Sequence, residues 1–122
     1  MINEVQIGTI GARADIILIK IRGFLDAVVA YHLQEKVDPL LKKGIFKYII
    51  NLEELEHIST AGIGFFSGLA MELQKHHGKI IFTNVPVLVQ HLFNTTGLIG
   101  IFPIRESVKD AVTAIESAAN SV

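Results

Sequence analysis

Three short runs restrict what this chain can fold into. They are Ile16-Ile17-Leu18-Ile19-Lys20-Ile21, a near-continuous β-branched run, and the largely apolar Lys47-Tyr48-Ile49-Ile50-Asn51-Leu52 and Lys79-Ile80-Ile81-Phe82-Thr83. Runs of this length and composition read as strands buried on both faces. Segments with helical spacing lie between them, and strands alternating with helices imply right-handed crossovers and a mostly parallel sheet. Before the first run, Val5 to Ile10 alternate weakly and lead into the turn Gly11-Ala12-Arg13-Ala14-Asp15. They read as a half-exposed edge strand in an antiparallel hairpin.

The helical segments carry their own signals. Gly23-Phe24-Leu25-Asp26 ends the first buried strand, and Asp26 is placed to cap a helix from Ala27 to Lys43. Val29, Leu33, Val37, Leu40 and Leu41 form its apolar stripe. Pro39 predicts a kink or break near Val37-Asp38, because an internal proline removes a hydrogen bond and crowds the previous turn. Gly44 reads as the C-cap after Lys42 and Lys43. Glu53 to His57 read as a loop, and a second helix runs from about Ala61 to His77, with Ile63, Phe66, Ala70 and Leu73 on one stripe. A third helix spans Val87 to Asn94 behind Pro86, followed by a short strand from Ile99 to Pro103. The last helix covers Glu106 to Ile115, and the tail from Ser117 is expected to fray. The order is ββαβαβαβα, an α/β domain of about five strands and about four helices.

Length and composition narrow the function. The 122 residues suit one domain with a single core. The net charge of -1 provides no basic footprint for nucleic acid. No apolar run reaches the length of a membrane span, and Met1-Ile2-Asn3-Glu4 does not resemble a signal peptide, so a cytoplasmic location is expected. Cysteine is absent, which removes disulfides and thiolate chemistry. Half the residues are hydrophobic and only 19% are charged, below the usual quarter. With so little charge to cover the surface, some apolar surface is expected to be hidden by a partner.

Chemistry-bearing motifs are sparse. Of His32, His57, His76, His77 and His91, no two stand three or four residues apart, so no metal site is expected. Glu53-Glu54-Leu55-Glu56 reads as a solvated loop rather than an acid–base pair. Gly62-x-Gly64 is too short for a dinucleotide loop. What remains is His57-Ile58-Ser59-Thr60-Ala61-Gly62-Ile63-Gly64, between a strand and a helix. Ser59 and Thr60 are N-cap residue types, and a helix N-terminus favours a phosphate through its free N–H groups and its dipole. Gly62, Gly64 and Gly68 are expected to leave one helix face bare, for close approach to the sheet.

Asn51-Leu52-Glu53-Glu54-Leu55 followed by Ile58-Ser59-Thr60-Ala61-Gly62-Ile63-Gly64 resembles the STAS domain of bacterial anti-sigma factor antagonists. Arg22-Gly23-Phe24-Leu25-Asp26 is similar to that family's Gly-x-Leu-Asp before the first helix. Val89-Gln90-His91-Leu92-Phe93 with Thr96-Gly97-Leu98 is similar to its apolar helix and Gly-Leu turn. The resemblance runs from about Val5 to Ile115. It implies a STAS fold and a non-enzymatic protein–protein switch without a cofactor.

By that resemblance, Thr60 is the residue phosphorylated by a partner that is both serine/threonine kinase and anti-sigma factor. Ser59 stands where the family usually has Asp, and is the fallback phosphosite. The unphosphorylated form is expected to bind the anti-sigma factor and the phosphorylated form to release it, with a PP2C-type phosphatase resetting the switch. The expected partner face is Phe24, Leu25, Asp26, Ser59, Thr60, Ile63, Phe65 and Leu98, with Glu53, Glu54 and Glu56 beside the phosphate. A monomer or weak dimer is expected, without nucleic acid or membrane insertion. The alternatives are a constitutive STAS module, such as a subunit of a lipid-transporting ATPase complex or a signalling complex, and a nucleotide-binding protein or enzyme.

Overall fold

The computed structural model describes residues 3–95 and 102–120. Among them, strands β1 (Glu4–Ile10) and β2 (Ile16–Leu25) are followed by helix α1 (Ala27–Lys42), strand β3 (Lys47–Asn51) and strand β4 (Leu55–Ile58). Helix α2 (Thr60–Lys75), strand β5 (Lys79–Thr83), helix α3 (Val87–Thr95), strand β6 (Ile104–Arg105) and helix α4 (Val108–Asn120) complete the chain order. The strands form one six-stranded sheet ordered β1-β2-β3-β5-β6, with β4 also paired to β2. β1 is antiparallel to β2, and every other pairing is parallel. The hairpin and the parallel crossovers therefore follow the sequence pattern.

The sheet has a core on each face. Ile17, Ile19 and Ile21 of β2 and Tyr48 and Ile50 of β3 pack under α1, α2 and α3 with Leu33, Val37, Phe66, Leu69 and Phe93. On the other face Ile16, Ile49 and Ile81 meet, among the described residues, only Ala111 and Ile115 of α4 as fully buried partners. An aromatic group of Phe66, Phe82, Phe93 and Phe102 fills the larger core near β5, with ring centroids 4.7–6.4 Å apart.

Several elements differ from the sequence expectation. β2 does not stop at Gly23. It continues to Leu25, leaving β3 for β4, and the register shifts between Gly23 and Phe24. Gly23 has φ +87°, a conformation glycine adopts at little cost, and this lets the strand change partners. The supposed loop Glu53 to His57 consequently contains β4.

α1 is continuous through Pro39. The bond that the proline cannot make belongs to the carbonyl of Glu35, on the exposed side of the helix, where water can serve it. At its C-terminus, Gly44 N–H donates to Leu41 O and Ile45 N–H to Leu40 O, which closes a Schellman motif. The strand expected from Ile99 to Pro103 is replaced by β6, while 99–101 lie outside the described residues. α4 starts at Val108, where the Ser107 hydroxyl accepts from Asp110 N–H, and it continues through the tail expected to fray as far as Asn120.

Candidate functional site

α1, α2 and α3 each start just past a parallel strand, at the carboxyl end of the sheet. Asp26 caps α1, its Oδ1 accepting from Val29 N–H at 2.9 Å. Next to it, the Leu25 carbonyl accepts twice from Ser59, from N–H at 2.9 Å and from the hydroxyl at 3.0 Å. The same hydroxyl accepts from Gly62 N–H at 3.2 Å, which makes Ser59 the N-cap of α2. One serine thus ties the start of α2 to the end of β2.

Gly62 makes that junction possible. A Cβ there would lie 2.7 Å from Leu25 Cγ and 2.9 Å from Ile58 Cγ1. Gly64 and Gly68, expected to share this role, do not. A Cβ on either would meet no atom within 4 Å, and both are exposed, because two residues along a helix turn Gly64 away from the sheet.

Thr60, the first residue of α2, is exposed, and its hydroxyl has no hydrogen-bond partner among the described residues. The first turn of α2 contains no acidic side chain. Ser59 already occupies Gly62 N–H through its hydroxyl and Ile63 N–H through its carbonyl, which leaves the N–H groups of Thr60 and Ala61 open. Phe24 lies half-buried, its ring edge-on to His57 at 4.8 Å, with its N–H donating to Asn3 Oδ1.

The remaining expected face residues separate by burial. Asp26, Ser59 and Ile63 are half-buried around the start of α2. Leu25 and Phe65, expected on the partner face, are instead core residues at 0% and 6% exposure. Strand alternation turns Leu25 toward Gly62, and the helical repeat turns Phe65 inward beside Phe66. Leu98 lies outside the described residues. Of the three glutamates expected beside Thr60, Glu54 turns to Lys20 and Arg22 at 3.5 and 3.6 Å. Glu53 and Glu56 remain exposed, and Glu53 N–H donates to Asn51 Oδ1. Among the described residues, no three His, Asp or Glu side chains gather as a metal site, and no helix is long and apolar enough to cross a membrane.

The family model for the STAS domain matches residues 9–111. The chain belongs to the STAS domain family. The anti-sigma-B factor antagonist of Staphylococcus aureus is 25% identical to this STAS domain over 91 residues, 75% of this chain and 84% of that protein. The fold also matches solved structures. An anti-sigma factor antagonist from Mycobacterium paratuberculosis superposes with a TM-score of 0.80 at 18% identity, over 94% of this chain and 95% of that one. The Bacillus cell fate determinant SpoIIAA in its phosphorylated form gives 0.76 at 20% identity, over 92% and 99%.

Some exposed apolar residues of this STAS domain escape a reading of its sequence. Val28 and Tyr31 in α1 are 63% and 65% exposed, and Val87 and Leu88 in α3 are 80% and 75% exposed. Val28, Val87 and Leu88 lie in first helical turns, at the same end of the sheet as Thr60. The available signal was their position off the buried stripes. Val28 and Tyr31 stand off the line of Ala30, Leu33 and Val37, and Val87 and Leu88 precede the buried pair Val89 and Phe93.

Proposed function

We propose that this STAS domain is an anti-sigma factor antagonist acting as a phosphorylation-controlled binding protein rather than an enzyme. Its partner is an anti-sigma factor with serine/threonine kinase activity, docked on Phe24, Asp26, Ile63 and the exposed apolar residues Val28, Val87 and Leu88 at the starts of α1 and α3. Thr60 accepts the phosphate, and a phosphatase of the PP2C type removes it.

The observation that carries this reading is the contrast between two adjacent hydroxyls. Ser59 Oγ is engaged as both donor and acceptor, whereas Thr60 Oγ1 is exposed and without a partner among the described residues. A kinase can reach Thr60 without dismantling the helix cap, which favours it over Ser59. Phosphate brings about -1.5 to -2 charges to an apolar rim, where like charge from Glu53 and Glu56 and the cost of desolvation oppose docking. The free N–H groups of the first turn stabilise that phosphate on the domain itself. The names of the relatives support the antagonist reading, and SpoIIAA has been solved in a phosphorylated form.

The test combines intact mass and fragment mapping of the protein purified from its own cells with binding of wild-type and Thr60→Glu protein to the copurifying kinase. One phosphate per chain on Thr60, and a loss of at least about tenfold in affinity for Thr60→Glu, are expected. Equal binding of the two proteins would defeat the switch. An unmodified protein that copurifies with a transport ATPase would replace it with a constitutive module.

A further inference from the structure

At the β6 side of the sheet lies a groove that shares no residue with the docking end. Among the described residues β6 pairs with β5 alone, Phe82 opposite Ile104 and Thr83 opposite Arg105. Phe82 N–H donates to Pro103 O at 2.9 Å. In a parallel ladder the next residue turns the other way, so Ile104 directs its own N–H and C=O to the open edge. Among the described residues the Ile104 carbonyl accepts only from the guanidinium of its neighbour Arg105, at 3.1 Å.

This edge forms the floor of a cavity of about 620 Å³. Asn84 and Val85 from the β5–α3 connection and Gln90 of α3 line the groove, together with Asp110, Thr113 and Ala114 of α4. Gln90 Nε2 donates to Val85 O, which leaves its Oε1 for a ligand. Two carboxylates, Glu106 and Asp110, line the groove without a cation partner among the described residues, and Arg105 is the one cation in the lining.

We propose that this groove receives an extended segment of a partner polypeptide, which adds to β6 as a further strand and sets a basic side chain against Glu106 and Asp110. An outward N–H and C=O on a single edge residue is the donor–acceptor pair that an extended backbone matches, and flanking helices supply the walls for its side chains. The volume falls in the range of sites that enclose a short ligand segment. The excess of carboxylates favours a basic side chain and opposes phosphate-bearing ligands. The groove gives the domain a second contact, independent of Thr60.

The probe is a capped synthetic peptide, Thr-Val-Lys-Val-Thr, titrated into the isotope-labelled full chain. The expected result is a set of amide shifts centred on Ile104, Gln90 and Asp110, with slowed solvent exchange at Ile104. The same peptide N-methylated at alternate residues should not bind, and this control leaves the protein untouched. Replacing its lysine by glutamate, or combining Glu106→Gln with Asp110→Asn, should weaken binding about fivefold. The proposal is overturned by equal binding of the N-methylated peptide, by shifts confined to β1, or by no shift at millimolar peptide. It is equally overturned if sedimentation shows a second copy closing the Ile104 edge.

Discussion

Ser59 and Thr60 are adjacent hydroxyl residues with different work to do, and stability measurements separate them. Ser59→Ala removes a helix cap together with a bond to the Leu25 carbonyl, and should cost about 1–2 kcal/mol in urea unfolding. Thr60→Val breaks no bond among the described residues and should stay within about 0.5 kcal/mol of wild type. Equal losses would mean that Thr60 also helps hold the helix. A different hydroxyl lies at the centre of the main core. Tyr48 is 0% exposed, its OH has no partner among the described residues, and burial pushes it up to about 12. Because the folded value is raised, the unfolded chain ionises first. The folded state then loses stability as pH rises from about 10 through about 12, and below that window the group contributes no pH dependence. Tyr48→Phe should be neutral or slightly stabilising at pH 7 and should lack that part of the alkaline loss. Unfolding of the two proteins side by side from pH 8 to 12 checks the sign.

At the level of elements, local signals and long-range pairing were not equally legible. Asp26 and Ser59 announced two helix starts through chemistry confined to one turn, and both caps form. The β-branched runs announced β2, β3 and β5 for the same local reason. β4 could not be anticipated in this way. Its interior residues Glu56 and His57 are exposed and polar, and only its pairing with the extension of β2 beyond Gly23 makes it a strand. The break expected at Pro39 failed because solvent accessibility at Glu35, invisible in a residue pattern, absorbs the missing bond. The expected partner face shows the same limit. Motif spacing identified Ser59 and Thr60, but the burial of Leu25 and Phe65 depends on which way a strand and a helix turn at their junction. The end of α2 offers a further check. His77 takes a left-handed conformation at φ 55°, with its N–H donating to Gln74 O, while Gly78 fits where a Cβ would come 2.4 Å from Phe46 O. His77→Gly should therefore raise stability by about 0.5–1 kcal/mol, read as a shift in thermal midpoint. An unchanged midpoint would mean that the histidine ring gains as much from its surroundings as its backbone loses.

For the molecule as a whole, the two faces of the sheet are unequally covered. Three helices secure one side, and α4 secures the other with Ala111 and Ile115 as its fully buried contacts, together with a bond from Ala12 N–H to Glu116 Oε2. Less buried surface means a smaller free energy of local opening. In native-state hydrogen exchange, α4 amides should exchange at least about tenfold faster than those of β3 and β5, and should do so together. Matching protection would show α4 to be part of the global unfolding unit. The end of the sheet around Thr60 belongs to the better-secured side, so opening of α4 leaves it in place.

The three-way tie at Ser59 has a consequence for how a signal is carried. With α2 anchored to β2 through a neighbouring side chain, Thr60 stands on a fixed post, and adding a phosphate there demands no rearrangement beneath it. On the proposed function, a message written at that position would be added negative charge on an unchanged shape. On that same reading the domain would work as a token rather than a lever, read by a partner through what it can tolerate at one point of contact.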